Sequence, residues 1–155
     1  MIVLEKKRVR GFERVTGYED AKLPFRSTKG SAGYDCYVYT KEPVTIAPHE
    51  THVFPTGIKA YFPEDEVLFG FIRSSIGIKR HCALANAVFV IDSDFYNNPT
   101  DEGHILVGIT NFGNEPVTID AGERVCQFVF SKYLKVDNDN ATGTRSGGYG
   151  STGRK

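Results

Sequence analysis

Apolar and polar positions along this 155-residue chain recur in short alternating or continuous runs, cut by Gly, Pro, Asn and Asp. Such runs mark β-strands bounded by turns, whereas a helix returns its apolar residues at every third or fourth position. The pattern predicts strands over residues 3–15, 32–40, 44–46, 52–54, 57–62, 67–72, 83–91, 105–111, 117–119 and 124–136. Only Ser74 to Arg80 has room for a helix, of one turn or two. Many short strands with Gly- and Pro-rich turns predict an all-β sandwich or barrel-like fold. No repeat emerges. After Lys135 the large apolar residues run out, and residues 137–155 are rich in Gly, Asn, Asp, Ser and Thr. The chain therefore divides into a β domain over 1–136 and a polar tail over 137–155, expected to be mobile in the free protein.

Composition narrows the function classes. Lys plus Arg and Asp plus Glu number 19 each, so no global basic field is available to grip nucleic acid. The basic opening (Lys6, Lys7, Arg8, Arg10, Arg14) is diluted by Glu5, Glu13, Glu19 and Asp20, and reads as a solvated strand face. No apolar run approaches the roughly 20 residues that span a bilayer, and the N-terminus lacks a signal-peptide pattern. A cytoplasmic location is the expectation, with no membrane or nucleic-acid partner. Cys36, Cys82 and Cys126 form no CxxC pair, and the four histidines show no ligand spacing, which argues against a disulfide framework or structural zinc.

Five polar islands interrupt the β pattern. Ser31-Ala32-Gly33-Tyr34-Asp35 is either a turn entering a strand or a carboxylate that holds a water or hydrated cation near a phosphate chain. Arg73-Ser74-Ser75-Ile76-Gly77 is either a Ser-capped helix start or an anion site of hydroxyls, backbone N–H groups and one guanidinium. Val88-Phe89-Val90-Ile91 reads as a buried strand that runs into Asp92-Ser93-Asp94-Phe95. A buried strand ending in a carboxylate places Asp92 at a solvated turn, or in a cleft where its charge has a task. Asn86 upstream suggests a hairpin bend framing a slot, with Phe95 as a flat wall. In Ala121-Gly122-Glu123-Arg124-Val125-Cys126-Gln127, alternation puts Arg124, Cys126 and Phe128 on one face and Val125, Gln127 and Val129 on the other. Finally, Arg145-Ser146-Gly147-Gly148-Tyr149-Gly150-Ser151-Thr152-Gly153 carries a guanidinium, an aromatic ring and hydroxyls between permissive glycines, as a lid over a nucleotide would.

These blocks, in this order, resemble the five motifs of the trimeric deoxyuridine triphosphate nucleotidohydrolases (dUTPases), over roughly Ser31 to Gly153. The resemblance implies a distorted jelly-roll β-barrel, the dUTPase-like β-clip, with at most one short helix and a flexible C-terminal tail. It implies a homotrimer whose active sites lie between subunits, the tail of one protomer closing over a site formed by others. It implies hydrolysis of dUTP to dUMP and pyrophosphate with Mg²⁺ held mainly by the substrate phosphates, limiting uracil in DNA and supplying dUMP. By the same resemblance Asp92 activates the attacking water, Arg73 sits near that Asp, and Gln127 lies near the α-phosphate. Ser74, Ser75 and Gly77 belong to the phosphate block, and Asp35 reaches the metal through water. Asn86, Phe89, Val90 and Ile91 form the uracil hairpin, and Phe95 packs on the deoxyribose. Arg145, Gly150, Ser151 and Thr152 contact the γ-phosphate, while Tyr149 stacks on the base.

Three positions depart from the family pattern. Phe89 stands where a small Gly is common, Phe95 replaces the usual Tyr with Tyr96 beside it, and residues 97–102 lengthen the turn. This extended turn resembles dUTPases of some Gram-positive bacteria and their phages. Two rival readings are a dCTP deaminase on the same fold, which would need a catalytic Glu absent around Asp92, and a nucleotide-sensing trimer that signals through a protein partner.

Overall fold

The computed structural model describes residues 6–153. Eleven strands follow one another: β1 (Gly11–Arg14), β2 (Tyr34–Tyr37), β3 (Val44–Ile46), β4 (Thr51–Pro55), β5 (Ile58–Tyr61), β6 (Glu66–Ile72), β7 (Cys82–Leu84), β8 (Phe89–Ile91), β9 (Leu106–Asn111), β10 (Val117–Ile119) and β11 (Arg124–Lys132). They form a four-stranded sheet in the order β2-β11-β6-β8, a three-stranded sheet β4-β9-β7, and the pairs β1-β5 and β10-β3. Every pairing is antiparallel. The sheets enclose one core in which Phe54, Leu68, Val107, Ile109, Val125 and Phe128 lose all contact with solvent. This is the all-β fold expected from the strand pattern, in the distorted jelly-roll form that the resemblance implies.

The one helix, α1 (Ser74–Arg80), falls where the sequence leaves room for it. Its N-cap is Arg73 in extended conformation, with no side-chain capping bond, so the hydroxyls of Ser74 and Ser75 are not spent on the helix end. The chain leaves α1 through His81 in the left-handed region (φ 55°).

Three strand expectations need correction. The span 83–91 is two strands: Ala87 takes φ 63°, and the chain passes from the three-stranded to the four-stranded sheet. Asn86 is thus at a bend, but β7 and β8 pair with β9 and β6 instead of with each other. The run after it is not uniformly buried, since Phe89 is buried while Val90 is 62% exposed. The third correction concerns β11, whose alternation is broken between Arg124 and Cys126 by a register shift against β2. Such a bulge opposes two residues to one, and Val125 is consequently as buried as Cys126. In the opening segment only Gly11–Arg14 is strand among the described residues, and the first three positions of the expected 3–15 strand lie outside them.

Candidate active site

A cleft of about 220 Å³ opens beside β8, lined by Asn86, Phe89 to Asp92, Phe95, Ile105, Leu106, Arg145, Gly148 and Tyr149. Its floor is apolar. Phe89 is 6% exposed and packs on Gly70, where an added Cβ would come within 2.4 Å of the ring. The bulk of Phe89 is therefore accommodated by a glycine on the neighbouring strand, with the ring directed into the core. β8 is the edge strand of its sheet, so its outward N–H and C=O groups have no strand partner and are available to a ligand.

Asp92 ends β8 in extended conformation (φ −84°, ψ 154°) at the start of a 3₁₀ turn, Ser93–Phe95. The turn drives Phe95 inward to 8% exposure, while the carboxylates of Asp92 and Asp94 stay half-exposed at the mouth. Asp92 is thus both exposed at a turn and part of the lining of the cleft. Tyr96 does not replace the hydroxyl missing from Phe95, because its own OH donates to Glu13 outside the cleft.

The tail returns over this cleft on its own chain. Arg145 Nη2 donates to Asp92 Oδ2 at 2.6 Å and its Nε to Asp94 Oδ1 at 2.7 Å. Gly148 lies flat against Phe95, with an added Cβ only 2.4 Å from the ring. Tyr149 meets Phe95 edge-on at 5.9 Å, accepts from the Leu106 N–H at 2.7 Å and donates to the His104 carbonyl at 3.0 Å. Gly150, Ser151 and Thr152 follow in an exposed turn and do not line the cleft.

A second groove holds the other predicted block: Asp35, Arg73, Ser74, Ser75, Ile78, Lys79 and Gln127. Asp35 is directly opposite Gln127 in the β2–β11 register. Gly33 has no side chain because Gln127 occupies the space, its Oε1 2.4 Å from where a Cβ would stand. Gly77 lines neither site and lies inside α1 against Ile72. Arg73 faces Asp35 (Nε to Oδ1, 3.3 Å), not the Asp92 of the same chain.

Asp92 and Asp35 occupy opposite ends of the four-stranded sheet. Three inter-strand spacings and about four residues of strand separate them, roughly 20 Å at the usual spacings of about 4.8 Å and 3.4 Å. That exceeds the reach of one triphosphate. A single chain thus holds two partial sites.

The expected water-mediated metal contact at Asp35 does not fit the donors found there. Its Oδ1 faces Arg73, and its Oδ2 is taken by Arg124 (3.1 Å) and Ser27 (3.0 Å). Two guanidiniums around one carboxylate favour an anion beside them over a second cation. Among the described residues, no three His, Cys, Asp or Glu side chains group as a metal site. Sequence reasoning also missed Asp94 and Leu106, which look like ordinary turn and strand residues until the tail lies against them.

The fold thus carries an apolar edge-strand cleft with a carboxylate at its mouth and, apart from it, an Arg- and Ser-lined groove. The dUTPase family model matches residues 19–153. A deoxyuridine 5'-triphosphate nucleotidohydrolase of Lactococcus lactis is 47% identical over 150 residues, covering 94% of this chain and 99% of that protein. One of Finegoldia magna is 37% identical over 136 residues, covering 84% of this chain and 91% of that protein. The crystal structure of a dUTPase from Streptococcus mutans superposes with TM-score 0.75 at 45% identity, over 83% of this chain and 99% of that one. A dUTPase from phage phi11 of S. aureus shares the fold at TM-score 0.68 and 20% identity, over 90% of this chain and 99% of that one. The chain belongs to the dUTPase family, and its activity is the hydrolysis of dUTP.

Proposed function

We propose that Asp92 takes a proton from a water that attacks the α-phosphorus of dUTP. The new O–P bond forms as the bond from that phosphorus to the bridging oxygen breaks, and pyrophosphate leaves with the electron pair, giving dUMP. The observation that carries this reading is the Asp92 carboxylate, half-exposed at the mouth of an apolar cleft and paired with Arg145 of the Gly-rich tail instead of a cation of the β domain. A positioned general base contributes about 10²–10⁴ in rate.

The cleft receives the base. The free edge of β8 offers main-chain donors and acceptors to the uracil edge, and cytosine would leave such groups mispaired, a costly mismatch in a buried slot. Phe95, buried beneath the tail, packs on the deoxyribose and leaves no space for a 2′-hydroxyl. Arg73, Ser74, Ser75 and Gln127 receive the phosphates, and Arg145 exchanges its carboxylate partners for the γ-phosphate.

The roughly 20 Å between the two partial sites supports assembly of each working site from more than one chain, as in a homotrimer. A Mg²⁺ ion, when bound with the triphosphate, would neutralise phosphate charge, while Asp35 orients Arg73 and Arg124. Supplying dUMP and keeping uracil out of DNA follow from this chemistry.

The test is pyrophosphate release from dUTP, dTTP, dCTP and UTP in parallel. Release from dUTP alone is expected. Ammonia release from dCTP would instead identify a deaminase, and binding of dUTP without turnover would identify a sensor.

A further inference from the structure

The lengthened turn at 97–102 touches the tail at one point. Thr100 Oγ1 donates to the carbonyl of Ser146, and the same side chain fills the space beside Gly147, where an added Cβ would stand 3.0 Å from Oγ1 and 3.1 Å from the Thr100 Cβ. The next residue, Gly148, is the one flattened against Phe95. Arg145 precedes this contact and Tyr149 follows it.

Thr100 is not a loose loop residue. Asn98, 6% exposed, braces the turn from within: its Nδ2 donates to the Phe95 carbonyl at 2.8 Å and to Asp101 Oδ1 at 2.6 Å, and its Oδ1 accepts from the Thr100 N–H at 3.0 Å. The far end hangs from the barrel through Lys59, which holds Glu102 at 2.8 Å and Asn97 at 2.6 Å. A hydroxyl on so braced a turn presents a fixed donor to the glycine-rich stretch between the Arg145 and Tyr149 anchors.

We propose that Thr100 is a positioning residue that seats the tail, setting Gly147 and Gly148 so that Arg145 and Tyr149 arrive together over the nucleotide cleft. This rests on the reading of the tail as the cover of that cleft. The Thr100 side chain touches neither nucleotide nor water. It lowers the free-energy cost of ordering the tail, and its effect belongs in substrate capture.

The experiment compares Thr100→Val, which keeps the shape and removes the donor, with Thr100→Ser, which keeps the donor. Thr100→Val should raise KM for dUTP about five- to tenfold, the weight of one hydrogen bond, with kcat within about twofold of wild type. Thr100→Ser should restore KM to within about twofold. In a Gly148→Val background, whose side chain cannot fit against Phe95, Thr100→Val should add nothing. Trypsin should cut after Arg145 faster in Thr100→Val than in wild type, with no change in melting temperature. A KM and a cleavage rate both equal to wild type overturn the proposal. So does a parallel loss of KM, kcat and melting temperature, which marks a turn that merely supports the fold. If wild type fails to hydrolyse dUTP, the functional reading falls, while the cleavage rates still decide whether Thr100 seats the tail.

Discussion

The guanidinium of Arg145 bridges Asp92 and Asp94, donating at 2.6 Å to one carboxylate and at 2.7 Å to the other. Under the proposed function, the acid assigned to activate water and the cation assigned to the far phosphate are partners before substrate arrives. A triphosphate carries more negative charge than two half-exposed carboxylates, so its arrival draws the arginine away and frees Asp92 for water. Asp92→Asn keeps the shape and removes the base. Its kcat should fall by at least about 10²–10⁴, while the Kd for a non-hydrolysable dUTP analogue stays within about threefold. Calorimetric titration beside a turnover assay measures both.

The tail lies on its own chain's cleft, whereas the resemblance implied a tail lent by a neighbour. Co-expressing Asp92→Asn with Gly148→Val separates the two arrangements. When each tail serves its own chain, every intact Asp92 sits under a damaged tail, and mixed trimers show no more activity per intact Asp92 than Gly148→Val alone. Recovery in the mixture would show that tails cross between subunits.

Glu66 is 4% exposed, and both its oxygens accept from Arg10 at 2.8 Å. Arg10→Ala strands this carboxylate and should cost about 2 kcal/mol, within the range for a buried polar group left unpaired. Arg10 holds the Glu66 carboxyl below its ordinary value of 4.5. The stabilisation is therefore complete above that ordinary value and is lost as pH falls through the lower, folded one. Denaturant melts of wild type and Arg10→Ala should differ by a constant amount above about pH 5.5 and draw together as pH falls below 4.5.

All three cysteines are buried, at 0% for Cys36 and Cys126 and 3% for Cys82. Burial also pushes the thiols of Cys36 and Cys82 upward, away from the reactive thiolate. An aromatic disulfide reagent at neutral pH should label none of the three in the native protein and all three after unfolding.

The parts legible in the sequence were those set by local chemistry. Val117–Ile119 and Ser74–Arg80 fall where the pattern places them, because turn residues and an apolar spacing bound each one. Asn86 signalled a bend inside 83–91, but the passage from one sheet to another was hidden, since it turns on Ala87 at φ 63°, a conformation alanine seldom adopts. The bulge at Val125 was equally silent, because the partner strand that defines it lies about ninety residues away in sequence. In the site, Asp92, Arg145 and Tyr149 stood out by residue type. Asp94 and Thr100 did not, since their roles come from contacts with positions 46 to 51 residues further on. The two guanidiniums beside Asp35, from Arg73 and Arg124, were likewise brought there by neighbours that only the fold supplies.

Hydrolysis of dUTP in ¹⁸O-labelled water locates the broken bond. Attack by an Asp92-activated water on the α-phosphorus puts the label in dUMP and none in pyrophosphate, and Asp92→Asn abolishes its incorporation. Label in pyrophosphate, or unchanged incorporation by Asp92→Asn, would contradict the assignment of Asp92 as the base at the α-phosphate.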